Sequence, residues 1–389
     1  MHVKKVLFIA TVVKTHIHAF HLPYIKMFKE KGYETYVAAK NDYGNSMPDI
    51  PNCDCYIDLP FSRSPFSLRN IKAYKMLKAL IDENHFDIIQ CNTPVGGVLG
   101  RLAARKARKN GAKVIYIAHG FHFMKGSSVL SWLLFFPIEK LLAHVTDVLV
   151  TINREDYDRA KRKLKAKKTV HVNGMGVAME NITGYDQSRH TNRVQLGIKD
   201  SDILIASVGE LTKNKNHKTA LRALARLNHS AIHYVIAGSG SFRKQLGQYS
   251  RQLGLDNVHW LGFCDRGRIY ELLRASDIFC FPSCREGLPV ALMEAMAAGL
   301  PIVASAVRGN TDLIVPGKGG LLYAPDDVEG FADGIHILMQ NPELRYRMGA
   351  YNKERVREYD IKNIKKVFSD IYFPSEDQIK EAVKVEQYL

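Results

Sequence analysis

Two α/β domains, each built on a doubly wound parallel sheet, are the architecture this sequence predicts. Three observations carry the prediction. Short apolar runs alternate with helix-periodic stretches, and the whole pattern starts again near residue 203. The length, 389 residues, exceeds one ordinary core and suits two.

In the first half, strands are expected over 3–10, 35–39, 87–91, 113–118 and 147–152, with helices over 19–31, 70–83 and 96–109. In the second half, strands are expected over 203–208, 232–237, 258–261, 278–281 and 301–304, with helices between them. The stretch 172–191 holds Asn173, Gly174, Gly176, Asn181 and Gly184 and has no clear period, as expected of a linker. Near the end, 360–372 and 375–389 read as helices. The expected domains are therefore 1–180 and 181–358, followed by C-terminal helices over 359–389 that cross back to the first domain.

Composition narrows the function class. Apolar residues make up 46% and charged residues 24%, the balance of a folded globular chain. Cys53, Cys55, Cys91, Cys264, Cys280 and Cys284 fit neither a zinc spacing nor a disulfide framework. Reduced, partly buried thiols are expected, and with them a cytoplasmic location. Residues 1–10 are too short for a signal peptide, and no run of about 18 apolar residues offers a bilayer span.

The net charge of +16 is unevenly placed: residues 1–180 carry 28 Lys and Arg against 15 Asp and Glu, whereas 181–389 carry 27 against 24. A basic half beside a nearly neutral one suggests an anionic surface or substrate for the first half. No nucleic-acid module or interleaved aromatic platform accompanies that charge, so nucleic acid is not the expected partner.

The most informative segment is Glu286-Gly-Leu-Pro-Val-Ala-Leu-Met-Glu294, directly after the strand expected over 278–281. Pro289 suits a helix's first turn, Gly299 a left-handed cap and Pro301 a stop, which predicts a helix over 289–298. Its N-terminus follows the carboxyl end of a parallel strand, where free backbone N–H groups attract phosphate. The helix is apolar all round except for Glu294, so it should be buried. A lone buried carboxylate needs a partner, and sugar or ribose hydroxyls can donate to it. A buried arginine or a backbone donor would serve as well, with Glu286 then an ordinary loop residue.

The two glutamates, followed by Ala-Met-Ala-Ala-Gly-Leu-Pro-Ile-Val-Ala-Ser, resemble the donor site of family 4 glycosyltransferases of the GT-B fold. Further matches stand in order: Val208-Gly-Glu-Leu-Thr-Lys-Asn-Lys215, Ala237-Gly-Ser-Gly240, Leu261-Gly-Phe263, 275–283, and Gly309, Gly317 and Gly320. The resemblance is strong over 200–325 and looser elsewhere. It implies two Rossmann-like domains facing a central cleft.

It also implies roles. Glu286 would contact the donor sugar and Glu294 the ribose hydroxyls, while the backbone of Gly287, Leu288 and Pro289 meets hydroxyls and phosphate. Lys215 would neutralise the diphosphate leaving group, where charge develops as the glycosidic bond breaks. Gly209, Gly238 and Phe263 complete the donor side. One departure stands out: Glu210 occupies a place where many members carry arginine, and a carboxylate cannot hold phosphate. The Gly-Glu-Leu variant resembles members that build bacterial capsule, exopolysaccharide and other lipid-linked glycans.

Two histidine-bearing stretches mark the first domain: Thr15-His16-Ile-His18-Ala-Phe-His21 after the first strand, and His119-Gly-Phe-His122 after the strand over 113–118. A metal held by His16 and His18, or by His119 and His122, lacks any acidic or thiol ligand, so no metal is expected. The resemblance maps a sugar-binding histidine to His119 and places His16 near phosphate or acceptor. Asp156-x-Asp158 lies in a charged helix and reads as a solvated face rather than a metal site.

The apolar run 129–142 reads either as core or as a segment dipping into lipid headgroups. Arg101, Arg105, Lys106, Arg108 and Lys109 read as one basic face, with a second over 159–168. The expectation is a retaining, metal-independent transfer of a hexose or N-acetylhexosamine. The donor is a UDP-sugar that acts as co-substrate, with no cofactor. The acceptor is a polyprenyl-diphosphate-linked or other glycan, met at the inner face of the cell membrane. A nucleotide-sugar epimerase or hydrolase, or a non-catalytic sugar-nucleotide-binding scaffold, would share the same motifs.

Overall fold

The computed structural model describes residues 3–124, 126–182 and 188–375. Most of the helix expected over 375–389 lies outside the described residues, as does Gly184. Two compact units emerge: Met1–Met175 with Ile364–Leu389, and Gly176–Asn363.

The first unit holds seven strands: β1 Lys5–Val12, β2 Glu34–Lys40, β3 Cys55–Asp58, β4 Ile88–Asn92, β5 Lys113–Ala118, β6 Val148–Thr151 and β7 Lys168–His171. They pair in parallel in the order β3-β2-β1-β4-β5-β6-β7. The second unit holds β8 Ile203–Val208, β9 Ile232–Ala237, β10 Val258–Gly262, β11 Ile278–Phe281, β12 Ile302–Ser305 and β13 Gly320–Tyr323. Their order, also parallel, is β10-β9-β8-β11-β12-β13. Each sheet reverses its winding beside its first strand, at β1/β4 and at β8/β11. In such sheets ligands bind beyond the strand carboxyl ends at these points.

Central strands are buried on both faces and read as apolar runs: Leu7, Ile9, Ile89 and Val114 lie fully inside one core, and Ile205, Ile236 and Cys280 inside the other. Three strands had no counterpart in the sequence pattern: β3, β7 and β13. All three lie at sheet edges and are half-buried, so none needs a continuous apolar run.

Helices depart from expectation in three places. The chain leaves β1 straight into a π-helical stretch, Val13–His21, which runs on as the helix Leu22–Glu30. The helix therefore starts before residue 19, and its wide turns fall where functional sites often sit. The helix expected over 96–109 is two, Pro94–Ala103 and Arg105–Lys109. The helix expected over 289–298 spans Val290–Ala297, with Pro289 as its extended cap rather than its first turn. Gly299 closes it at φ +79°, as a left-handed cap requires.

Two charged side chains lie elsewhere than expected. Arg101 is fully buried; it donates to Glu139 at 2.8 Å and to the Gly97 carbonyl, and stacks on Tyr116, so it belongs to the core rather than to a basic face. Asp156 is buried too, accepting from the Phe121 N–H and Asn153 Nδ2 at 2.9 Å each, which fixes the loop after β5. Only Asp158 keeps a solvated position.

The helix Val129–Ala143 divides its apolar residues: Trp132, Phe135 and Phe136 pack against the core, while Val129, Leu130, Leu133 and Leu141 are exposed. No helix among the described residues is long and apolar enough to cross a membrane. The last described helix, Ile361–Tyr372, lays Phe368 and Tyr372 on Tyr24 and Phe28 of the first unit.

Candidate functional site

In the second unit, the carboxyl ends of β8, β9, β10 and β11 carry the sequence-predicted residues. Beyond β8, Gly209 passes so close to Gly238 that a Cβ on Gly238 would lie 1.8 Å from the Gly209 carbonyl oxygen. No side chain fits at Gly238, which explains the glycine of that turn. The same loop brings Lys215 to Glu286: Nζ and Oε1 are 2.6 Å apart, and the ammonium also lies over the Phe281 ring. Asn214 ties the two loops by donating to the Arg285 carbonyl and accepting, through its own carbonyl, from the Cys284 N–H. Gly309 approaches the Gly287 carbonyl so closely that a Cβ would stand 2.3 Å from it, and Arg308 donates to the Glu286 carbonyl at 3.1 Å. The segment from Glu286 to Leu288 is therefore held from both sides.

Glu294 is buried in the Val290–Ala297 helix. Burial pushes its carboxyl up to about 7, opposed by the nearby Arg266 charge and by a hydrogen bond from Tyr270. The helix thus carries an acid poised to ionise near neutrality, which a hydroxyl-bearing ligand would stabilise in its charged form. Phe263 is largely exposed on the loop after β10. Glu210 is exposed as well, apart from the Lys215–Glu286 pair.

In the first unit, the histidines expected to work in pairs regroup. His16, His21 and His119 bring one ring nitrogen each within 4.8 Å of one another. His18 instead bonds the Tyr43 hydroxyl at 2.5 Å, and His122 packs on Phe135. Burial lowers all three clustered histidines, His119 to about 4, so they are neutral at pH 7. His21 was visible in the sequence motif, but nothing in linear spacing distinguishes it from His18. The π-helical turn that rotates it inward is a tertiary feature.

Neutral imidazoles suit metal ligation, but a hydrogen-bond chain fixes the proton on one of them. The Ile9 carbonyl accepts from Asn92 Nδ2, so Asn92 Oδ1 must accept from Gln90 Nε2, which then donates to His21 Nδ1 at 3.3 Å. Gln90 Oε1 accepts from the Tyr372 hydroxyl. With Nδ1 accepting, neutral His21 carries its proton on Nε2 and offers the cluster a donor rather than a lone pair. A ligating histidine normally shows the reverse arrangement. Arg63 adds positive charge near His16, which further disfavours a cation. The cluster is better suited to hydrogen-bonding a polar ligand.

Beside His16 lies a cavity of about 520 Å³ within the first unit, lined by Val98, Leu99, Phe121, Phe135, Ile138 and others, with Arg63 and Glu139 as its charged residues. Sequence reasoning did not reveal it, because its walls come from five separated segments.

A doubly wound pair of units, one bearing a glycine-turn, Lys–Glu and buried-acid site at its switch point, is the arrangement of a GT-B glycosyltransferase. Residues 188–355 match the family "Glycosyl transferases group 1" and residues 5–153 match "Glycosyl transferase 4-like". The chain is 39% identical to EpsD of Bacillus subtilis (strain 168), a protein named as a glycosyltransferase, over 95% of this chain and 96% of that protein. This protein belongs to the group 1, family 4 glycosyltransferases and is a transferase.

It is also 28% identical, over 70% of its length and 72% of the relative's, to the UDP-Gal:alpha-D-GlcNAc-diphosphoundecaprenol alpha-1,3-galactosyltransferase of Escherichia coli. Among solved structures, sucrose-phosphate synthase from Thermosynechococcus elongatus superposes with a TM-score of 0.79 at 18% identity, covering 95% of this chain and 98% of that one. Anabaena Alr3699/HepE in complex with UDP and glucose gives the same TM-score and identity, covering 95% and 99%.

Proposed function

We propose that the enzyme transfers a hexose or N-acetylhexosamine from a UDP-sugar to a lipid-linked glycan in cell-surface polysaccharide synthesis, with retention of anomeric configuration. The observation that carries the reading is the group of side chains at the second unit's strand-order switch: the Lys215–Glu286 pair, whose Glu286 precedes the Val290–Ala297 helix, and the buried Glu294 within that helix. A ribose donates to Glu294, the diphosphate exchanges with Glu286 for Lys215, and the released Glu286 accepts from sugar hydroxyls. Backbone groups of Gly287, Leu288 and Pro289 complete the contacts. As the glycosidic bond breaks, negative charge grows on the leaving phosphate, and Lys215 stabilises it. That phosphate takes the acceptor's proton, so no enzymatic nucleophile is assigned.

Lys215 and the helix N-terminus supply the positive charge, so the proposed transfer needs no metal ion. The E. coli relative's diphosphoundecaprenol-linked acceptor supports a lipid-linked acceptor here. The exposed Val129, Leu130 and Leu133 support peripheral contact with an anionic membrane.

The test is product analysis with a panel of nucleotide sugars, with and without lipid-linked acceptors, the product's anomeric configuration being read by NMR. Transfer from a UDP-sugar with retention is expected. Free sugar released equally with and without acceptor would make the protein a hydrolase, and tight UDP binding without turnover would make it a scaffold.

A further inference from the structure

The cavity beside His16 has a chemistry of its own. Its volume, about 520 Å³, falls within the range of small-molecule sites. The Pro94–Ala103 helix contributes Val98 and Leu99, the loop after β5 contributes Phe121 and Phe123, and the Val129–Ala143 helix contributes Phe135.

Most polar groups in the lining are already satisfied. The Thr11 and Thr93 hydroxyls bond each other at 2.7 Å. Asn70 accepts from the Ser62 N–H and donates to the Ser64 carbonyl. Glu139 is neutralised by Arg101 and accepts from Tyr116. A sugar would find few free partners in such a space. What remains is Arg63, which donates to Thr15 Oγ1 at 2.9 Å and has no carboxylate partner among the described residues, and the buried Nε2 of His16. The site therefore offers one uncompensated positive charge at an exposed edge and an apolar interior.

Both sides that wall the cavity also carry exposed apolar side chains: Phe66 and Leu68 beside Arg63, and Val129, Leu130 and Leu133 on the helix that supplies Phe135. Such rims suit a ligand that arrives from an apolar phase.

We propose that this cavity binds the lipid–phosphate end of an amphiphilic acceptor, with the phosphate at Arg63 and Thr15 and the first part of the chain between Leu99, Phe121 and Phe135. This rests on the reading of the enzyme as a transferase with a lipid-linked acceptor, and names the place where the lipid is recognised. The head group then lies beside His16 and the histidine cluster.

Farnesyl diphosphate is the probe, titrated calorimetrically against the full chain alongside inorganic pyrophosphate and farnesol. Farnesyl diphosphate should bind at least about tenfold more tightly than either fragment. Val98→Phe, which fills the cavity, and independently Leu99→Phe, should each weaken it about tenfold or more while UDP affinity stays unchanged. Arg63→Ala should weaken farnesyl diphosphate and leave farnesol unaffected. An unchanged circular dichroism spectrum and unchanged denaturant unfolding show that a variant is folded in both units. Saturable farnesyl diphosphate binding that all three substitutions leave intact overturns the proposal, as does its absence in a protein that binds UDP. If farnesyl diphosphate binds here as described but no lipid-linked acceptor receives sugar, the cavity assignment stands and the transferase reading of the acceptor falls.

Discussion

The two units share an architecture and use opposite electrostatics. The second keeps charge at its strand ends: a part-buried ion pair, Lys215–Glu286, and a buried acid held near its ionisation point, Glu294. The first removes charge: Arg101 and Glu139 cancel each other inside the core, and burial keeps His16, His21 and His119 neutral. One sheet's switch point is thus prepared for a charged, hydroxyl-rich ligand. The other sets neutral imidazoles beside an apolar cavity that carries Arg63 at its edge. A shared fold fixes where a ligand sits, and the local side chains decide what kind of ligand it is.

Substitutions can break this contrast. Glu286→Ala removes a carboxylate assigned to the transferred sugar, so the transfer rate should fall about 100-fold or more with an unchanged circular dichroism spectrum. Unaltered kcat would detach Glu286 from the chemistry.

Lys215→Ala should weaken UDP binding by about 10- to 100-fold in calorimetry, the loss expected for a charge-assisted contact. Uridine affinity should barely change, since the nucleoside lacks the diphosphate. Equal losses for both would mean that Lys215 supports the fold of the site instead.

The third test concerns stability and pH. The native carboxyl of Glu294 titrates near 7 against an ordinary 4.5, so over that window the folded state binds more protons than the unfolded chain. The favourable effect is complete below the ordinary value and is lost as pH rises through about 7. Glu294→Gln should therefore gain stability over wild type at pH 8, by about 3 kcal/mol at most, and little at pH 4. A difference independent of pH in denaturant unfolding would contradict the raised value.

The smallest effect sharpens the ligand assignment. If ribose donates to ionised Glu294, uridine should bind several-fold more tightly at pH 8 than at pH 6, and Glu294→Gln should flatten that dependence. Wild-type affinity that does not vary with pH would separate the ribose from Glu294.

Legibility in the sequence followed the same divide. The second unit's site sits in contiguous segments, where Pro289, Gly299 and the lone Glu294 announce a buried helix and its caps, and Gly238 announces a close backbone approach. The Lys215–Glu286 contact spans 71 residues, and no local pattern encodes it. The central strands were plain because burial on both faces writes a continuous apolar run, whereas β3, β7 and β13 are half-buried edges without that signature. In the first unit, the grouping of His16 with His21 and His119 depends on a π-helical turn, and the burial of Arg101 depends on Glu139, 38 residues away. The cavity is assembled from β1, the loop around Arg63, two helices and the loop after β5, so only the folded chain displays it.

A crystal structure of the enzyme with UDP bound would test the central claim most directly. The account predicts ribose hydroxyls on the Glu294 carboxylate and the diphosphate on Lys215 at the start of the Val290–Ala297 helix, with the Lys215–Glu286 pair opened. UDP bound elsewhere, with that pair intact and Glu294 still hydrogen-bonded to Tyr270, would contradict it.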